Sequence, residues 1–161
     1  MKYSAVIAGI ILLALASAGS VDAGWTGYDE GARAAAKTGK LMIVDFTAEW
    51  CGWCKKMEKE VFSEKTISSR LARDFVTVRL DAESFAMLTH KGKRMDARQF
   101  TLLNGIEGFP TLIVFDAKEN TVTSLTGYVD AATFGRFLDF LQQGKYRTMS
   151  FEKYLKTPAG K

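Results

Sequence analysis

The chain has 161 residues, with 22 Lys and Arg against 18 Asp and Glu, for a formal net charge of +4. That balance is modest and its signs are interspersed, which excludes the dense basic footprint of a nucleic-acid-binding domain. The two cysteines and single histidine cannot make a structural zinc site, which takes about four ligands.

The chain opens MKYSAVIAGIILLALASAGSVDAG, with Lys2 ahead of an apolar run from Ala5 to Ala18. Such a run matches a signal-peptide core and falls short of the roughly 20 residues that span a bilayer. Ala16-Ser17-Ala18 and Val21-Asp22-Ala23 are small-x-small sites; cleavage is expected after Ala23, with Ala18 second. An uncleaved anchor is the competing reading. Residues 1–23 are thus expected to be a signal peptide, and residues 24–161 a single exported domain of 161 − 23 = 138 residues. That is enough chain for one core.

The elements follow in order. GYDEGARAAAKTGK has early acids, an alanine-rich body and Gly39 after its last turn, which predicts a helix. LMIVDF is a short apolar run, predicting a strand buried on both faces. CKKMEKEV has helical composition, and Ser63 is expected to cap the next helix, EKTISSRLARDF. FVTVRLDA alternates and predicts a strand. No periodicity is visible from Ser84 to Met95, and the basic cluster Lys91–Arg94 reads as a solvated turn, with a contact patch as the alternative. DARQFTLLNGI predicts a helix ended by Asn104-Gly105. FPTLIVFD and NTVTSLTG predict two more strands; only DAKEN separates them, so they should form an antiparallel hairpin. Asp130 is expected to cap AATFGRFLDFLQQG, and Ser150 a last helix, FEKYLK. Strands alternating with helices point to an α/β fold with a mixed sheet.

Both cysteines lie in FTAEWCGWCKKME, Phe46 to Glu58. Cys51 follows a buried strand and should open a helix, whose unpaired N–H groups and partial positive charge stabilise a thiolate. Cys54 lies one turn deeper and within disulfide reach. So small a ring restricts little of the unfolded chain and cannot staple a fold. An exposed, small-ring disulfide is instead readily exchanged. The pair reads as chemically active. Covalent haem needs a histidine after the second cysteine, and position 55 is Lys55. Copper(I) carriage through Cys51, Cys54 and Met57 is an open alternative, because soft sulfur ligands suit that ion. A methionine at that spacing equally suits core packing. Asp45, an acid inside LMIVDF, is expected to be buried with its pKa raised by desolvation.

LMIVDFTAEWCGWCKKM and GIEGFPTLIVFD closely resemble the active-site and cis-proline segments of thioredoxins. The order of elements from Lys40 to Phe140 matches that fold as well. The apolar start, the lead-in YDEGARAAAKTGK and the tail GYVDAATFGRFLDFLQQGKYRTMSFEKYL resemble exported bacterial members. The nearest are the periplasmic SoxW-type thioredoxins and, more loosely, the C-terminal thioredoxin domain of DsbD. The resemblance implies a thioredoxin fold, a central mixed β-sheet flanked by helices, with an N-terminal helix and a C-terminal helical extension.

By the same resemblance Cys51 is the attacking thiol, Cys54 the resolving thiol and Pro110 the cis-proline. Trp50, Gly52, Trp53, Gly108, Phe109 and Gly127 would line a shallow substrate groove. A plain turn glycine at Gly127, and ordinary partial burial at Trp50 and Phe109, stand as alternatives. Asp45 matches the acid that moves the resolving thiol's proton, and Arg79 aligns with a neighbouring lysine; a plain Asp45–Arg79 ion pair is the other reading.

The implied activity is reduction of protein disulfides by thiol–disulfide exchange, with thiol oxidation or isomerisation as the alternative. The implied protein is a periplasmic monomer needing no metal, nucleotide or organic cofactor. It would be recharged by a membrane electron carrier of the DsbD/CcdA type, with clients in sulfur oxidation or cytochrome c maturation. Two departures stand out: Trp53 where thioredoxins usually have proline, and a longer Ser84–Phe100 segment.

Overall fold

The computed structural model describes residues 24–158, so the signal-peptide and cleavage expectations lie outside the described residues, as do residues 159–161. Helix α1, Tyr28–Thr38, starts with Asp29 and Glu30 in its first turn and ends at Gly39, whose φ of 72° lets its N–H reach the Ala35 carbonyl. Strand β1, Met42–Thr47, runs into helix α2, Gly52–Met57, which continues as one wide π-type turn over Glu58–Phe62. Helix α3, Lys65–Asp74, leads to strand β2, Val76–Asp81. Strands β3, Met87–His90, and β4, Lys93–Asp96, precede helix α4, Ala97–Leu103. Strands β5, Thr111–Phe115, and β6, Thr121–Thr126, are followed by helix α5, Ala131–Gln142. A single 3-10 turn at Lys145–Arg147 leads to helix α6, Phe151–Leu155.

The main sheet has the order β2-β1-β5-β6. β1 and β2 are parallel, and β5 runs antiparallel to both β1 and β6, so the sheet is mixed as expected. Period-2 alternation along β1 feeds two separate cores. On one face Ile43, Leu112 and Val114 pack with Met57, Val61 and Phe62, with Leu71 of α3, and with Phe134, Phe137 and Phe140 of α5. On the other face Met42, Val44, Phe46, Ile113 and Phe115 meet Tyr28 and Ala35 of α1 and Phe100 of α4. Each large side chain so buried contributes about 1.5–3 kcal/mol. α1 lies so close to the sheet that a Cβ at Gly31 would stand 2.1 Å from Val78 Cγ2. Among the described residues no helix is long and apolar enough to cross a membrane.

Three local expectations are corrected. Ser63 does not cap α3; Glu64 does, accepting from the Ile67 amide, while the Ser63 hydroxyl donates 2.7 Å to the Glu58 carbonyl to close the π-type turn. The CKKMEKEV helix is regular only to Met57. The segment Ser84–Met95, without visible periodicity, contains the β3–β4 hairpin. Its turn is Lys91-Gly92, both with positive φ, the primed geometry that suits a strand twist. The cap expectations at Asp130 and Ser150 hold, each accepting an amide three residues on.

Candidate active site

Thr47 ends β1, and Ala48 to Trp50 turn the chain into α2. The turn is closed by the Cys51 amide donating 3.0 Å to the Ala48 carbonyl. Cys51 is therefore the N-cap of α2, and its Sγ accepts the Cys54 amide at 3.1 Å. This is the place a capping oxygen normally takes, so an unpaired helix N–H is aimed at the sulfur. Cys51 and Cys54 form a disulfide, S–S 2.06 Å, Cα–Cα 5.3 Å. The sequence placed Cys54 deeper, but in the disulfide form the order is reversed, at 3% exposure for Cys51 and 8% for Cys54. The reason is local. Ala48, Cys51 and Cys54 pack together with Phe109 against them, and of the two cysteines only Cys54 lines a cleft of about 570 Å³.

That cleft is lined by Asp45, Thr47, Cys54, Lys55, Glu58 and Arg79, among others. β1 alternation sends Asp45 to the α2 face of the sheet, and the parallel register sets it opposite Arg79. Arg79 Nε donates to Asp45 Oδ2 at 3.2 Å, and Arg79 Nη2 pairs with Glu58. Asp45 Oδ1 is buried and has no hydrogen-bond partner among the described residues. Burial pushes the Asp45 carboxyl up to about 6, against the pull of the Arg79 guanidinium. The cleft is thus lined both by this carboxyl, raised to about 6, and by the second cysteine.

The rim carries the other expected residues. Trp50 is 67% exposed and donates Nε1–H to Glu83 at 2.8 Å, its ring edge-on to Phe109 at 6.0 Å. Trp53 is 57% exposed and tilts over Tyr128 at 5.5 Å, with the Lys56 ammonium above both rings. Tyr128 is fixed in turn by its hydroxyl donating 2.7 Å to Glu60. Gly52 and Gly108 are exposed, and the Phe109–Pro110 peptide is cis. Gly127, at φ 84°, donates its N–H to the Pro110 carbonyl at 2.8 Å, which continues the β5–β6 ladder beyond Thr126. Trp50 is therefore brought against Phe109, and Trp53 against Tyr128. Met57, the third sulfur of the copper(I) alternative, is fully buried and packs in the core.

His90 lies away from this site. Its Nδ1 is 2.6 Å from the Tyr28 hydroxyl, which in turn donates to Glu119 at 3.1 Å. Burial lowers the His90 pKa and raises that of Tyr28, and the cluster ties α1 to both hairpins. Sequence reasoning missed Glu58, Glu83 and Tyr128. The first was accessible in principle, since it stands four residues after Cys54 and so on the same helix face.

The chain matches the family model described as a thioredoxin-like domain over residues 28–142. It is 35% identical over 100 residues to the thiol:disulfide interchange protein DsbD of Yersinia pestis, covering 60% of this chain and 15% of that protein. The corresponding figures for DsbD of Salmonella paratyphi A are 37% over 104 residues, 62% and 16%. The chain thus spans only about a sixth of these relatives. Among solved structures, a thioredoxin-fold protein from Helicobacter pylori superposes with a TM-score of 0.66 at 16% identity, covering 86% of this chain and 93% of that one. With a cysteine pair at the start of α2 closed as a disulfide on this fold, the chain belongs to the thioredoxin-like domain family.

Proposed function

We propose that the chain is an exported, periplasmic reductase of protein disulfides. The observation that carries this is the pairing of roles at one site: a Cys51 sulfur capped by a helix amide, and a Cys54 that shares a cleft with the near-neutral acid Asp45. In the dithiol form the Cys51 thiolate attacks one sulfur of a client disulfide. That S–S bond breaks, a mixed disulfide forms, and the first client sulfur leaves as a thiolate that takes a proton from water. Asp45 then accepts the Cys54 proton. The Cys54 thiolate attacks Cys51 Sγ, the mixed disulfide breaks, and the second client sulfur leaves as a thiolate that takes up a proton, returned by Asp45 through solvent. Two electrons have passed to the client, and the protein holds the Cys51–Cys54 disulfide.

The electrons reside in the cysteines throughout, so the exchange calls for no metal, nucleotide or organic cofactor. Trp50, Gly52, Trp53, Gly108, Phe109, Pro110 and Gly127 form the client groove, and Arg79 supports Asp45. The protein acts as a monomer. The likeness to DsbD over its thioredoxin region supports recharging by a membrane carrier of the DsbD/CcdA type. Clients belong to sulfur oxidation or cytochrome c maturation, and a Cys54→Ser variant, which stops at the mixed disulfide, would trap them.

The test is catalysis of insulin disulfide reduction with dithiothreitol as donor. Faster disulfide formation in a reduced, unfolded protein, without insulin reduction, would replace the reductase by an oxidase. Metal held at unit stoichiometry against a competing chelator would favour copper(I) carriage.

A further inference from the structure

Arg79 is the cation beside Asp45, and arginine is a long side chain with much rotamer freedom to lose. The segment that precedes α1 holds it. Thr26 bridges Val78 in parallel, donating its amide to the Thr77 carbonyl at 3.0 Å and accepting the Arg79 amide at 3.1 Å. The segment thereby covers the outer edge of β2, and its alternation matches that strand. Thr26 shares the face of Val78, so Trp25 falls on the opposite face with Arg79. There the guanidinium carbon lies 4.3 Å from the Trp25 ring centre. Phe62 backs the arrangement, 5.0 Å from the Trp25 ring and 6.0 Å from the guanidinium.

One further detail separates this contact from ordinary packing. Trp25 Nε1 is buried with no hydrogen-bond partner among the described residues. Burying an unpaired donor is costly, and an aliphatic side chain would cover Phe62 without it. What only the indole supplies is an electron-rich face for a cation.

We propose that Trp25 is a positioning residue, whose ring fixes the Arg79 guanidinium against Asp45 and Glu58 and so sets the protonation of Asp45. The consequence for catalysis rests on the reading of Asp45 as the acceptor of the Cys54 proton. The groups facing Asp45 are Arg79 from β2 and Glu58 from the π-type turn, with Glu49, Lys55 and Asp81 lining the same cleft. Without the ring, Arg79 can turn away from Asp45 toward Asp81 or solvent. Asp45 then loses its only cationic hydrogen-bond partner among the described residues, and its carboxyl titrates higher.

The experiment is a carbon-detected NMR titration of the Asp45 carboxyl in the oxidised chain. Wild type is compared with Trp25→Leu, Trp25→Phe, Arg79→Met and the Trp25→Leu/Arg79→Met pair. The Asp45 midpoint is expected to move up by about half a pH unit or more in Trp25→Leu. Trp25→Phe keeps a weaker ring face and should move it less, in the same direction. Adding Trp25→Leu to Arg79→Met should move it no further. The pH midpoint of insulin reduction should rise with the Asp45 midpoint, because the ionised acid is the form that accepts the proton.

A folded Trp25→Leu protein with the wild-type midpoint would overturn the proposal. Should that variant not fold, an unmoved midpoint in Trp25→Phe overturns it instead. A Trp25→Leu shift that persists undiminished on Arg79→Met also overturns it, because the effect would then not pass through Arg79. A chain that reduces no insulin, yet shows the graded Asp45 shift, would reject the reductase reading and sustain the role of Trp25.

Discussion

Replacing Asp45 with asparagine isolates what a buried acid costs this fold. The Asp45 carboxyl is raised from 3.8 to about 6 because burial penalises its charge more than Arg79 offsets it. A raised folded-state pKa means that the native protein binds the proton more tightly than the unfolded chain. The contribution is therefore fully present below about pH 4, and is lost as pH rises through about 6. The difference of roughly two pKa units, at about 1.36 kcal/mol each, makes the loss about 3 kcal/mol. Asp45→Asn cannot ionise, and its amide oxygen still accepts from Arg79. The variant should match the wild type near pH 4 and exceed it by about 2–3 kcal/mol at pH 8.

Urea unfolding of both oxidised proteins at intervals from pH 4 to pH 8 reads this directly, since all other titrating groups cancel in the difference. A difference that stays flat across that range would show that Asp45 ionises without penalty. A less stable variant at pH 8 would show that the charged Asp45–Arg79 pair holds the fold together, which would leave Asp45 a structural ion-pair partner. The same variant should resolve the mixed disulfide more slowly near neutral pH. Stability and turnover moving in opposite directions is the signature of a group retained for chemistry.

In the reduced protein, iodoacetamide should alkylate Cys51 before Cys54 in a peptide map. The reason is thiolate stabilisation by the Cys54 amide, not exposure, and prior labelling of Cys54 would reverse the assigned roles. The residues between the cysteines, Gly52 and Trp53, carry no charge. Equilibration with glutathione buffers, followed by tryptophan fluorescence, should therefore give a potential nearer thioredoxin's about −270 mV than DsbA's about −120 mV. A value more oxidising than about −160 mV would remove the reductase reading. Gly31→Ala should destabilise the fold by about 1–3 kcal/mol in thermal or urea unfolding, because the added methyl would overlap Val78; unchanged stability would mean that α1 lifts from the sheet at no cost.

Much of the fold was legible because its signals are local. The glycine stop of α1, the aspartate cap of α5, and the short link between β5 and β6 each act within a few residues. The β3–β4 hairpin was not legible, since its alternation has little to alternate. Only Leu88 of β3 is buried, while Met87 and Thr89 are exposed beside it and no residue of β4 is buried. Its stability comes from tertiary ties outside the ribbon, the Asp29 carboxylate accepting the Thr89 amide and Glu119 accepting that of Lys91. Such ties leave no mark on the segment itself. Ser63 misled for a related reason. A hydroxyl before a helical stretch can serve the turn behind it as readily as the helix ahead, and here the π-type turn claimed it.

The site divides along the same line. The cysteines, Asp45 and Pro110 stand in short motifs whose spacing survives without any fold. Arg79 follows once the first two strands are paired in parallel, because the register alone sets it against Asp45. Glu58 requires more. It depends on α2 running regularly for six residues and then widening, so that a residue one turn beyond Cys54 meets a side chain from β2 while Val61 and Phe62 still enter the core. A regular helix continued to Phe62 would advance those two side chains by a different angle, and the core and Glu58 would compete for one phase. Trp25 lies furthest from sequence reasoning, because its contact with Arg79 arises from a single bridge between residues 26 and 78. The chemistry is thus written in a handful of adjacent residues, while the groups that tune its acid are assembled by strand register from three separate parts of the chain.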